Sequence, residues 1–269
     1  MIRAVFCDID GTLVPPLSDA VSDRVRDAIH GAIGAGLIVA FATGRTPTSL
    51  RLVLDSIGLD VAWGVCNNGA TLAMFAPDLP GGFNMVKQAY FDPAPAVRQF
   101  SEAVPGALVA TWRDGTYMVN DPFPHGELVS AQVAPLDEVI GRPTSKAVMR
   151  WPWLTADDIR AAIDACPMPD GVDAILSKFA AWLDLVPYGT SKAGTVIELT
   201  SQLGITQDEV VAIGDDYNDV ELLAWAGRGV AMAGSPAPVL VVADQVTDDV
   251  FHDGAARVLE ALVDEISAC

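Results

Sequence analysis

The chain alternates short apolar runs with longer amphipathic segments, and the runs end in a characteristic way. Ile2-Arg3-Ala4-Val5-Phe6-Cys7 is apolar apart from Arg3 and leads into Asp8-Ile9-Asp10-Gly11-Thr12-Leu13. A run without period-two alternation reads as a strand buried on both faces, the habit of a central parallel strand. Ser22 then caps a predicted helix that carries Val25, Ile29 and Ile33 at i+4 spacing and stops at Gly34 and Gly36. Leu37 to Ala42 is a second buried strand, running into Thr43-Gly44-Arg45. Thr46-Pro47 supplies the cap and first position of the next helix, which stops near Gly58. Val61 to Cys66 predicts a third strand, Asn67-Asn68-Gly69-Ala70 a tight turn, and Thr71 to Phe75 a returning hairpin strand. This β-α-β-α-β order specifies a parallel sheet with right-handed crossovers.

The rhythm changes after Pro77, Pro80, Gly81 and Gly82, which read as a hinge-like linker. Val86–Phe91, Ala107–Arg113, Thr116–Asn120, Lys146–Trp151 and Asp173–Lys178 are predicted extended, Pro93–Val104 and Ala156–Ala165 helical. From Ala181 the parallel pattern is expected to resume. Ser191 opens a helix with Lys192, Val196, Leu199 and Leu203, and Val210 to Ile213 is a buried strand. Gly214-Asp215-Asp216-Tyr217-Asn218-Asp219 then precedes an apolar helix, Gly229–Ala233 is a further strand, and the last helix is Gly254 to Ile266. The expected fold is α/β: a doubly wound parallel sheet, Rossmann-like, over residues 1–82 and 185–269, interrupted by an inserted α+β domain over 83–184.

Composition narrows the function classes. The 269 residues are 51% hydrophobic and carry a formal charge of −19, which argues against nucleic acid and against anionic membrane as partners. No apolar run reaches membrane-spanning length, and the predicted first strand leaves no room before it for a signal peptide. Cys7, Cys66, Cys166 and Cys269 form no close pair, the usage expected of reduced thiols in the cytoplasm. His30, His125 and His252 are scattered and supply no expected catalytic base.

The chemistry lies where strands end. The first gives Asp8 and Asp10, the second Thr43 and Gly44, a later one Asp215, Asn218 and Asp219, with Lys192 opening a helix. In open α/β sheets, ligands bind in the crevice outside the carboxyl ends of the strands. Two carboxylates ~4 Å apart repel by about 4 kcal/mol at an effective dielectric near 20. A magnesium ion with a phosphate group would offset that cost. For the Asp-x-Asp-Gly stretch alone, a solvated surface turn is the competing reading; the other three strand-end motifs decide against it.

Together, Asp8-x-Asp10-Gly11-Thr12, Thr43-Gly44-Arg45, Lys192 and Gly214-Asp215-x-x-Asn218-Asp219 resemble the haloacid dehalogenase-like superfamily, mostly phosphohydrolases. The insert position matches the Cof-type phosphatase branch, with its large α+β (C2-type) cap. Asn68-Gly69-Ala70, Gly229-Val230-Ala231-Met232 and Asp253-Gly254 add weaker agreement. The resemblance implies Asp8 as a nucleophile that forms an aspartyl-phosphate, and Asp10 as general acid and then base. It implies magnesium held by Asp8, Asp215 and the Asp10 backbone carbonyl. Thr43, Gly44, Lys192 and Asn218 would contact the phosphoryl group, and Asp219 would orient Lys192 or a metal-bound water. An ordinary Asp carboxyl, with a reference pKa of about 3.9, is already ionised at neutral pH and needs no separate base. Arg45 is expected to pair structurally. The tryptophans are expected to pack in the core or cap.

Asp216 stands where relatives often carry a small residue, and Gly234-Ser235 where they carry Asn or Asp. The expected function is a magnesium-dependent phosphatase for a small phosphorylated metabolite. A phosphomutase or other phosphotransferase shares every motif, and a catalytically silent ligand-binding protein is the alternative from another class. The cap would select the substrate, with Arg113, Lys146, Arg150 and Lys178 as candidate cations.

Overall fold

The computed structural model describes residues 1–16 and 18–268. In chain order the first elements are β1 (Ala4–Cys7), α1 (Asp23–Gly34), β2 (Ile38–Ala42), α2 (Pro47–Ile57), β3 (Ala62–Cys66), β4 (Thr71–Phe75) and β5 (Phe83–Gln88). There follow α3 (Ala94–Ala103), β6 (Leu108–Arg113), β7 (Thr116–Val119), β8 (Ala131–Val133), the short α4 (Leu136–Val139), β9 (Ala147–Arg150), α5 (Ala156–Ala165), β10 (Val172–Leu176) and β11 (Trp182–Pro187). The chain ends with α6 (Lys192–Gln202), β12 (Val210–Gly214), α7 (Val220–Trp225), β13 (Arg228–Ala231), α8 (Ala237–Val242), β14 (Gln245–Val246) and α9 (Gly254–Ser267). Two compact units result, Met1–Val86 with Ser191–Cys269, and Lys87–Thr190.

The first unit holds an eight-stranded sheet in the order β14-β13-β12-β1-β2-β3-β4-β5. From β14 to β3 every pairing is parallel, and β4 returns antiparallel to β3. Alternate residues of β1 serve opposite faces. Val5 and Cys7 join the layer of α1, α2 and α9, with Ile29, Leu50, Leu54 and Leu259. Ala4 and Phe6 join the layer of α6, α7 and α8, with Val196, Leu199, Leu222 and Val239. The sheet is therefore covered on both sides, which is why its strands read as unbroken apolar runs.

The cap residues act as expected. The Ser22 side chain accepts from the Val25 N–H at 3.1 Å, and Thr46 from Ser49 at 3.3 Å with Pro47 behind it. On α1, however, Ile33 is exposed, and the buried face is Val25, Ala28, Ile29 and Ala32. Alanines complete the stripe that the larger side chains only begin.

The second unit holds a six-stranded sheet in the order β10-β11-β9-β6-β7-β8, antiparallel except for β7 with β8. Phe100 of α3, with Ile159 and Ile163 of α5, packs over Val109, Met149 and Leu183. β11 pairs antiparallel with β9 and β10, so the parallel pattern resumes only at α6 rather than at Ala181. Trp112 and Trp151 are buried, as expected of packing residues, whereas Trp153 is exposed. Cys7 and Cys66 are buried thiols, and Cys269 lies outside the described residues. Among the described residues no helix is long and apolar enough to cross a membrane.

Candidate active site

β1 ends at Cys7, and the Asp8 N–H still donates to Ile213 O at 2.9 Å, which holds Asp8 beside the end of β12. β12 ends at Gly214, so Asp215 leaves the sheet next to it. Opposite them α6 begins at Lys192, its entry fixed by the Ser191 hydroxyl accepting from Gly194 N–H at 3.1 Å. Lys192 Nζ donates to Asp8 Oδ1 at 2.6 Å and to Asp219 Oδ1 at 2.7 Å. A cation at a helix start opposes the helix dipole. Here two carboxylates outweigh it. Asp219 Oδ2 also accepts from the Asp215 and Asp216 N–H groups at 3.0 and 3.1 Å, while the Thr12 hydroxyl donates to Asp215 Oδ1 at 3.0 Å.

One carboxylate oxygen each from Asp8, Asp215 and Asp219 lies within 4.8 Å of the others. Asp8, Asp215 and Asp219 are 5%, 3% and 1% exposed, and Lys192 1%. Gly11 makes this density possible: its φ is +87°, and a Cβ there would lie 2.2 Å from Asp215 Oδ2.

Burial is the largest influence on Asp8 and lifts its pKa well above the usual carboxyl value; Lys192 pulls it down, and Asp219 and Asp215 push it further up. Asp8 in the bare cluster is thus not the ordinary ionised carboxyl that its residue type suggests. Burial also disfavours the Lys192 ammonium, but Asp219 and Asp8 outweigh it and its pKa rises. These two directions pull against each other, because a charged lysine needs charged partners. Lys192 stays charged, since two carboxylate oxygens hold it within 2.7 Å. Burial first, and then the two neighbouring acids, raise Asp8. Three carboxylates and one ammonium, all ionised, leave a formal −2, and hard carboxylate oxygens with that excess fit a hard divalent cation.

Asp10 is not in this cluster through its side chain. Arg45 grips both its oxygens, Nε to Oδ2 at 2.9 Å and Nη2 to Oδ1 at 2.7 Å, and also donates to Asp19 and to Ser18 O. Burial lowers the Arg45 pKa and the bonds to Asp10 and Asp19 more than reverse this, so the guanidinium stays charged. Thr43 is fully buried, and its Oγ1 accepts from Arg45 N–H at 3.1 Å, which leaves the hydroxyl proton for donation. Gly44 lies in the same loop, between β2 and α2. Asn218 donates from Nδ2 to Asn68 Oδ1 at 2.8 Å.

The profile of the haloacid dehalogenase-like hydrolases matches residues 5–93 and 155–259, which takes in Asp8, Asp10, Thr43, Lys192, Asp215 and Asn218. The chain belongs to this family. Within it, the chain is similar to proteins named phosphatases. It is 25% identical to phosphoglycolate phosphatase of Methanoculleus marisnigri over 94% of each chain. It is 27% identical to the chloroplastic endoribonuclease YBEY of Arabidopsis thaliana over 94% of its own length, but spans only 45% of that protein. A crystal structure of a haloacid dehalogenase-like hydrolase from Bacteroides thetaiotaomicron shares its fold, with a TM-score of 0.78, 21% identity, and 97% and 100% of the two chains covered.

The Thr12 bond to Asp215, the Arg45 fork on Asp10 and the Asn68 bond to Asn218 were not foreseeable as pairs from the hydrolase's sequence. Thr12 and Asn68 do stand inside the motifs quoted above. The cations of the second unit have partners within it. Lys146 pairs with Asp184 at 2.7 Å, Arg150 with Glu127 at 2.9 Å, and Arg113 donates to Val139 O and Arg142 O at 2.7 and 2.8 Å. Lys178 Nζ lies 4.8 Å from the Phe179 ring centroid.

Proposed function

We propose that this hydrolase is a phosphatase that hydrolyses a small phosphorylated metabolite, with magnesium as cofactor, through an aspartyl-phosphate on Asp8. The observation that carries the reading is the Lys192 ammonium, clamped between Asp8 and Asp219 with Asp215 beside them. Asp8, Asp215 and the Asp10 backbone carbonyl would hold the ion. When bound it supplies positive charge against the acids and the phosphoryl oxygens.

Asp8 attacks phosphorus through a carboxylate oxygen as the bond to the ester oxygen breaks. Lys192 offsets the negative charge that brings nucleophile and ester into conflict, and the Thr43 hydroxyl, the Gly44 N–H and the Asn218 amide orient the phosphoryl oxygens. Asp10 gives its proton to the leaving oxygen. Because Arg45 grips both Asp10 oxygens, that carboxyl must turn out of the fork before it can act. In the second half, water attacks the aspartyl-phosphate, Asp10 recovers a proton from it, phosphate leaves and Asp8 is regenerated. Asp219 holds Lys192 through Oδ1 and the loop of Asp215 through Oδ2.

Phosphoglycolate, the substrate named for one relative, and other small phosphate esters are the place to begin. The test is a panel of such esters assayed with magnesium and then with a chelator. The reading requires phosphate release that the chelator abolishes. Phosphoryl transfer to an added sugar hydroxyl in place of release would mark a phosphotransferase, and absence of both with every ester would sink the reading.

A further inference from the structure

The turn Asn67-Asn68-Gly69 between β3 and β4 carries none of the roles above, yet it bonds to three of the segments that do. The Asn67 N–H donates to Arg45 O at 2.9 Å and the Asn68 N–H to Thr43 O at 3.0 Å, which seats the turn on the loop of Thr43 and Gly44. Gly69 O accepts from the Thr195 hydroxyl of α6 at 2.7 Å. Gly69 has φ +98°, and a Cβ there would lie 2.1 Å from Ser191 O, the residue that caps the Lys192 helix. No larger residue allows this approach.

The third link is a side chain. Asn68 is 1% exposed and left-handed at φ +53°, a conformation Asn adopts more readily than most residues. Its Oδ1 accepts from Asn218 Nδ2. At the other end of that amide, Asn218 Oδ1 is buried without a hydrogen-bond partner among the described residues. Turning both amides over keeps the bond between them and converts this unmet acceptor into an N–H donor. That is the polarity a phosphoryl oxygen needs.

We propose that Asn68 is a positioning residue that acts through Asn218. It pins one end of the Asn218 amide so that the other end faces the phosphoryl group, while Gly69 seats the helix that delivers Lys192. The proposal rests on the reading of Asn218 as a phosphoryl contact.

A double-mutant cycle tests it, using Asn68→Gly, Asn218→Ala and the pair, with orthovanadate in the presence of magnesium as probe. Glycine keeps the left-handed backbone and removes only the side chain. Each single variant should weaken vanadate inhibition about tenfold, the worth of one hydrogen bond to a buried polar group, and the double variant no more than either. A purely structural role for Asn68 would lower the melting temperature and leave the inhibition constant unchanged. Vanadate inhibition within twofold of wild type in Asn68→Gly, or losses that multiply in the double variant, overturns the proposal alone. Wild-type enzyme indifferent to vanadate overturns the phosphoryl-site reading and the proposal with it.

Discussion

Asp8, in its proposed role, would serve catalysis and strain the fold together. It is buried, faces two more acids and shares one ammonium with Asp219. Asp8→Asn should bring turnover below a few per cent of wild type, because an amide cannot attack phosphorus, while the protein stays folded. The same change removes one charge from the excess, so the metal-free variant should melt higher than metal-free wild type. Each kcal/mol of relieved repulsion is worth about 2–4 °C in a chain near this size. The sign with pH follows from the raised pKa. A folded Asp8 keeps its proton at pH values where the unfolded chain, with its value near 3.8, has lost it. Metal-free wild type should therefore lose stability as pH rises from about 4 through the raised folded value, and Asp8→Asn should flatten that slope. Melting curves in chelator across pH measure both effects. Asp10 is separable from Asp8 by leaving group. Asp10→Asn should slow alkyl phosphates by about 100-fold or more and aryl phosphates far less, since a phenolate leaves without a proton. Equal losses on both ester types would remove the acid role. The acids themselves were legible, because each follows an apolar run and a strand end is readable. Their partners were not. That Arg45 forks onto Asp10 and Thr12 holds Asp215 depends on which strands lie side by side, and no local pattern encodes that.

Gly11 has its consequence at the level of the strand-to-loop element that follows β1. A Gly11→Ala methyl would occupy the space of Asp215 Oδ2, in a backbone region that costs a side chain about 1–3 kcal/mol. The carboxylate can yield only by leaving the other acids and the Thr12 hydroxyl. The expected result is a fall in melting temperature and about a tenfold rise in the magnesium concentration needed for half activity, read by titrating the ion against phosphate release. Helices with side-chain caps, such as α1, α2 and α6, announced themselves, because Ser22, Thr46 and Ser191 cap what the sequence says they cap. β8 and β14 did not. All their residues are exposed, so they carry no apolar signature and exist only by edge pairing. β11 is apolar enough to read as a strand, but its run does not disclose an antiparallel partner.

Over the whole molecule, the alternation of strand and helix was enough to give two helix-covered faces of a parallel sheet and an insert of different rhythm. Which sheet an individual strand joins was not, because pairing is decided by neighbours remote in sequence. The acidic centre should also make the fold respond to its ion. Magnesium at 100 times its dissociation constant adds about 2.7 kcal/mol, or roughly 5–10 °C in melting temperature. Asp215→Asn should lose most of that shift, and calcium-free thermal scans with and without magnesium measure it. β1 lies between β2 and β12 in the sheet, and the Thr12–Asp215 bond spans 203 positions. During synthesis Asp8, the proposed nucleophile, thus leaves the ribosome before the segment that borders it, on a strand with one naked margin. Until those 203 further positions are made, the polypeptide would hold its proposed attacking group without the carboxylate that is to share its ion.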